Sequence, residues 1–251
     1  MNSSEFLKEE NLWDDDDAME AEIVKIQNYY GLGTQEVQFG LQVREQCQPF
    51  LKRIDYNISE FPMYRGIKND NSPLIAKEAR LADRIPKDIT PEVHAEINEL
   101  FTDKYGAPFR NSVFVSGDKY MTADYGNPYI IFPVGEFQIL WTPDFPDLFV
   151  TADGLRSMVR RVKVMKRDGK FSKNQQAYWD HYAKSHNIDG IQPEDVTLIK
   201  FLDKAEYRTD DLRNGIKSGH EIMLRCTEYL GMNNELNSES KEGIARIISI
   251  R

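Results

Sequence analysis

Residues 110–133 read RNSVFVSGDKYMTADYGNPYIIFP, and this stretch decides what fold to expect. Val113-Phe114-Val115 is a short β-branched and aromatic run that predicts a buried strand. Ser116-Gly117-Asp118, a turn-forming cluster, ends it. Lys119–Tyr125 has room for one or two helical turns, which Gly126-Asn127-Pro128 stops. Tyr129-Ile130-Ile131-Phe132 predicts a second apolar strand, closed by Pro133. The unit is strand, polar turn, short helix, strand. It leaves the hydroxyl of Ser116 at a strand end, where a pocket could use it. The plainer reading is a strand that simply ends in a serine turn.

At 251 residues the chain suits one domain of generous size, or one domain with extensions, and can bury a substantial core. Hydrophobic residues at 40% and aromatics at 11% fit a folded globular protein. No apolar run approaches the roughly 18 residues of a membrane span. The start MNSSEFLKEENLWDDDD has no basic head and no apolar centre, so a secretory signal is not expected. Cys47 and Cys226 lie too far apart for a metal knuckle or a disulfide framework, and a reducing cytosol is the natural compartment. A formal charge of −9 argues against a surface devoted to nucleic-acid backbone. Against that background Arg156, Arg160, Arg161, Lys163, Lys166, Arg167 and Lys170 form a local basic run, read here as a solvated helix face.

Three segments follow from composition. Residues 1–17 form an acidic, loose tail, 18–56 a helical N-terminal extension, and 57–251 the main domain. Within the extension, helices are expected over 18–30 and 36–53. Met63-Tyr64-Arg65-Gly66-Ile67 reads as a short strand with an arginine inside it. An unpaired buried charge is costly, so either Arg65 escapes at an edge or it holds an anion. Residues 81–88 carry Arg84 and Pro86. Thr90-Pro91-Glu92 starts a helix, with Thr as N-cap and Pro at the first position. His94, near its beginning, reads as structural. Strands are expected over 136–141, 188–191, 196–201 and 221–226, with a closing edge strand over 243–250. Helices are expected over 153–164 and 172–185, a short one from Thr209, and surface loop over 233–241.

Arg65 in MYRGI, Ser116 in VFVSGD and Glu221 in SGHEIML each stand at a strand or strand end. Their order resembles the arginine–serine–glutamate class of ADP-ribosyltransferases, most closely its bacteriophage branch. The wider run is similar too: ADRIPKD, a helix, RNSVF, ADYGNPYIIFP, then DLRNGIKSGHEIML. The similarity covers most of the chain, from about Phe61 to Met232. It implies an α+β fold of two small packed β-sheets around an NAD cleft. It implies NAD as co-substrate and no metal. It also implies that the segment 207–220, ahead of the glutamate, contacts the acceptor. Two departures stand out. Gly219 occupies the position two before Glu221 where arginine-modifying members carry Gln or Glu, and Ser116 is followed by Gly117 and Asp118 with no second hydroxyl.

The residue chemistry agrees with those roles. Arg65 is a planar, permanently charged fork suited to phosphate oxygens, and Gly66 beside it would permit close approach of backbone to ligand. Ser116 can bond a ribose hydroxyl or orient the glutamate, and Tyr125 can stack on nicotinamide or pack in the core. Arg84 is a further candidate for NAD binding. Cleaving the ribose–nicotinamide bond builds oxocarbenium character, which a carboxylate such as Glu221 stabilises. The expected function is mono-ADP-ribosyl transfer to a host macromolecule, in a bacterial cytoplasm or carried in a virion. The rivals are NAD hydrolysis and a non-enzymatic phage structural or host-binding role on a decayed transferase fold.

Overall fold

The computed structural model describes residues 16–82, 89–193 and 195–250. Arg84 and most of the acidic tail lie outside the described residues, and Asp16 and Asp17 already belong to the first helix. Among the described residues the strands are β1 (Tyr64–Ile67), β2 (Leu74–Glu78), β3 (Val113–Ser116), β4 (Asn127–Pro133), β5 (Gln138–Trp141), β6 (Glu221–Arg225) and β7 (Glu228–Asn233). The helices are α1 (Asp16–Tyr30), α2 (Thr34–Gln46), α3 (Gln48–Arg53), α4 (Pro91–Tyr105), α5 (Leu148–Arg167), α6 (Lys173–Ser185), α7 (Leu198–Lys204), α8 (Leu212–Ser218) and α9 (Ser238–Ile248). The 3-10 helix Lys119–Tyr125 joins β3 to β4, so the opening unit of the sequence forms as read.

The expectation of two separate packed sheets is corrected. The described strands make one seven-stranded sheet, in the order β2-β7-β4-β1-β3-β6-β5, with every pairing antiparallel. β1 unites the halves unequally. It pairs with β4 from Tyr64 to Ile67, but with β3 only at Tyr64↔Ser116. Beyond that pair β1 stays with β4 and β3 with β6, which leaves a seam in the middle of the sheet.

Both faces of the second half are covered, and the alternation of its strands shows it. Val113, Val115, Ile139, Ile222 and Leu224 face one core, built with Phe39, Val43, Phe50 and Leu51 of α2 and α3 and with Ile244 and Ile248 of α9. Phe114, Leu140 and Met223 face the other, built with Ile97 and Phe101 of α4, Leu155 of α5, Trp179 of α6 and Phe201 of α7. Side chains of period two on a strand serve two layers at once. The helices α2 and α3 of the N-terminal extension therefore share the core of the sheet, while α1 packs on α9.

Several local expectations change. The helix over 36–53 breaks at Cys47 into α2 and α3, because Pro49 lacks the N–H that a continuous helix needs. Residues 196–201 are not a strand. Thr197 Oγ caps α7 by accepting from the Lys200 N–H at 3.2 Å. Residues 188–191 form turns. The expected closing strand is the helix α9, with Ile244, Ile247 and Ile248 on one face and Asn237 as its cap at 2.8 Å from Ser240 N. Residues 233–241 hold the end of β7 and the start of α9 rather than a long loop. α8 begins at Leu212 rather than at Thr209, after Asp211 takes the left-handed conformation at φ 53°. The basic run lies along exposed positions of α5 and the turn after it, except Lys166, which is half-buried with its Nζ 5.2 Å from the centroid of the Phe171 ring.

Candidate functional site

The sheet register builds the site. Ser116, the last residue of β3, is paired on one side with Tyr64 of β1 and on the other with Glu221, the first residue of β6. Arg65, Gly66, Ser116, Tyr125 and Glu221 all line one cleft at the seam, with Arg110, Phe114 and Phe149 in its wall. Two other hollows contain none of the residues expected to hold NAD: one beside α1 and α9 around Tyr29 and Arg246, the other around Asp55 and Arg213, lined in part by Asp211, Arg213, Asn214 and Lys217 of the segment expected to meet the acceptor.

Arg65 does not escape at a sheet edge. Its Nη1 donates to the Phe114 carbonyl across the seam at 3.2 Å, and its Cζ lies 5.9 Å from the centroid of the Tyr229 ring. The residue is half-buried and lines the cleft. Gly66 serves the fold first. A Cβ there would sit 2.2 Å from the Thr122 carbonyl oxygen and 2.7 Å from Tyr125 Cβ. The missing side chain admits the 3-10 helix, and only a glycine allows that packing. Tyr125 is 53% exposed, so core packing is not its role; its ring stands on the rim.

Ser116 is buried and its hydroxyl is committed. Oγ donates to the Gly219 carbonyl at 2.6 Å and accepts from Asp118 N–H at 3.0 Å. It thereby ties the end of β3 to the turn that launches Glu221. Gly117 makes the same junction possible, since a Cβ on it would fall 1.8 Å from the Ile216 carbonyl oxygen of α8. Asp118 caps the 3-10 helix through Tyr120 N–H at 2.9 Å.

Glu221 is fixed through its backbone, whose N–H donates to Pro146 O at 2.7 Å. Its neighbour His220 is turned away onto the Thr142 carbonyl, 2.9 Å from Nδ1. Arg110, which sequence reasoning passed over, reaches the carboxylate: Nη1 lies 3.5 Å from Oε1. Its only trace in the sequence is its place directly ahead of β3, in RNSVF. Close by, burial holds the Tyr207 hydroxyl well above the ordinary tyrosine range, and the Glu221 charge pushes it the same way. His94 is structural, as read. Its Nε2 lies 2.9 Å from Asn111 Oδ1, which pins the 3-10 turn Phe109–Asn111 to α4.

Residues 207–220 are tied down rather than loose. Arg208 and Trp141 exchange backbone hydrogen bonds at 2.8 and 3.1 Å, and the Trp141 indole N–H donates to Asp210 O at 3.0 Å. Arg213 donates to Arg53 O at 2.8 Å and is ion-paired with Asp55, while Lys217 pairs with Glu60 at 2.8 Å. Ser218, Gly219 and His220 lead directly into Glu221, with Gly219 in the left-handed conformation at φ +71°.

Among the described residues no group of three or more His, Cys, Asp or Glu side chains is placed to hold a metal ion, and no helix is long and apolar enough to cross a membrane. Comparisons of this chain with protein-family models, with curated proteins and with solved structures found no match.

Proposed function

We propose that the chain binds NAD in the seam cleft and transfers its ADP-ribose to a macromolecular acceptor. The observation that supports this is the convergence of Arg65, Ser116 and Glu221, distant in sequence, on one cleft where three neighbouring strands meet. Arg65 supplies a planar cation for the pyrophosphate. Tyr125 offers an exposed ring at the rim for nicotinamide to stack on. The bond from ribose C1′ to the nicotinamide nitrogen breaks, and nicotinamide leaves with the electron pair. Glu221 faces the positive charge left on the ribose. The acceptor nucleophile then attacks C1′ and gives up its proton. Ser116 contributes by bracing the Gly219 turn, which sets where the Glu221 side chain begins. A host protein as acceptor, in a bacterial cytoplasm or delivered with a virion, is the setting that goes with the family resemblance.

A second reading, hydrolysis with water as acceptor, is favoured by one feature. Gly219, two residues before Glu221, has no side chain with which to orient an acceptor. Incubating the purified protein with NAD, with and without a bacterial lysate, separates the two. Transfer gives labelled lysate proteins, whereas hydrolysis gives equal nicotinamide release in buffer alone. No nicotinamide release and no NAD binding by calorimetry would overturn both and favour a non-enzymatic host-binding role.

A further inference from the structure

Arg110 lines the cleft and reaches the Glu221 carboxylate. The side chains of Arg110 and Glu221 are 12% and 18% exposed. Removing a guanidinium from water is costly unless it is well paired. Yet its Nε is buried with no hydrogen-bond partner among the described residues, and its Nη1 contact with the carboxylate is a long 3.5 Å. An arginine retained for stability alone would be expected to use its donors better.

The rest of the molecule holds this side chain in place. Its Cζ lies 4.6 Å from the centroid of the Phe114 ring, a cation–π contact that fixes the guanidinium plane. Its backbone N–H donates to Asn98 Oδ1 of α4 at 2.9 Å. The neighbouring Asn111 is bound to His94 of the same helix. Behind the pair stands the buried ring of Tyr207, packed on Phe101 at 5.0 Å and on Phe145 at 6.0 Å between centroids. An apolar wall of this kind keeps water from screening the two charges.

We propose that Arg110 is a positioning residue for Glu221. It holds the carboxylate in the cleft, in the orientation that the scissile ribose bond requires, and does not itself touch the reacting atoms. This rests on the NAD-cleaving reading of the site. Arg110 acts through Glu221, so its effect belongs in the rate of bond breaking rather than in NAD affinity.

The experiment compares wild type with Arg110→Lys, Arg110→Gln, Glu221→Gln and the double variant Arg110→Gln/Glu221→Gln. Nicotinamide release from NAD, NAD affinity by calorimetry and the unfolding midpoint are measured for each. Arg110→Gln should lower kcat on the order of 10- to 100-fold, the scale of a lost charged hydrogen bond, and leave the NAD Kd within about threefold. Arg110→Lys should recover part of the rate, since charge is kept and the fork is lost. In the Glu221→Gln background, Arg110→Gln should change kcat by less than about twofold, because the group it positions is gone. Phe114→Leu, which frees the guanidinium, should lower kcat several-fold and decides the matter if Arg110→Gln does not fold. A loss confined to Kd would make Arg110 a phosphate contact and overturn the proposal. Losses that multiply in the double variant would overturn it too. Full activity in every Arg110 and Phe114 variant overturns this proposal alone. A wild type that releases no nicotinamide overturns the reading of the cleft and this proposal with it.

Discussion

Ser116 and Glu221 are direct cross-strand partners at the ends of β3 and β6. Directly opposed residues of an antiparallel pair project to the same face. The hydroxyl and the carboxylate therefore start from adjacent points on one side of the sheet. Arg65 follows Tyr64, the other partner of Ser116. In a regular sheet the residue after Tyr64 would serve the opposite face. The break in pairing between β1 and β3 gives Arg65 a way into the same cleft.

Glu221→Gln should abolish transfer while leaving fold and NAD binding nearly intact. The amide has almost the shape of the carboxylate and begins a strand whose backbone is anchored at Pro146. What is lost is the negative charge facing the oxocarbenium ion, a term typically worth about 10²–10³ in rate. Nicotinamide release at the wild-type rate would sink the mechanism.

Arg65→Lys should weaken NAD binding by about 1–3 kcal/mol although the charge is kept. The guanidinium spends one nitrogen on the Phe114 carbonyl at 3.2 Å and has further donors for a ligand, a fork that an ammonium cannot reproduce. Calorimetric titration with NAD measures it, and unchanged affinity argues against direct contact.

Gly66→Ala should cost about 2–4 kcal/mol, because the added methyl meets backbone rather than a movable side chain. It would force the carbonyl of Thr122 and the start of the Tyr125 side chain away from β1, since both lie within 2.7 Å of the new atom. A lowered unfolding midpoint accompanied by weaker NAD binding is expected. A wild-type midpoint would mean that the 3-10 helix packs less tightly on β1.

Cys47 and Cys226 should resist alkylation at pH 8 until the protein unfolds. Burial pushes both thiols from the ordinary 9.0 up to about 12, with the neighbouring Cys226 and Glu228 adding to the effect at Cys47. Thiolate is the reactive form, so little is present in the native state. The unfolded chain gives up these protons near 9.0 while the folded one keeps them to about 12. Stability contributed by the neutral thiols is therefore complete below pH 9 and lost as pH rises through that window. Mass-resolved labelling and pH-dependent melting curves test the two halves of this expectation.

The sequence alone determined what depends on near neighbours. The unit from Val113 to Phe132 was legible because β-branched runs, a Ser-Gly-Asp turn and a Gly-Asn-Pro stop are local signals. Thr90 and Pro91 announced α4 for the same reason. Residues 243–250 misled because an apolar run that short suits both periods, and only packing against α1 and α2 makes it a helix. β7 went unread because Gly231 weakens its pattern; its place becomes clear only where the Ile75 side chain of β2 fills the space beside that glycine. The candidate residues Arg65, Ser116 and Glu221 were visible as polar groups at strand ends, but nothing in their spacing says that they meet. That was decided by the strand order β1-β3-β6, by the single pair Tyr64↔Ser116, and by the seam that follows. Arg110 shows the limit most plainly. Its partner lies on the neighbouring strand β6, and a contact between residues so distant in sequence is made by the fold and cannot be read from its place ahead of β3.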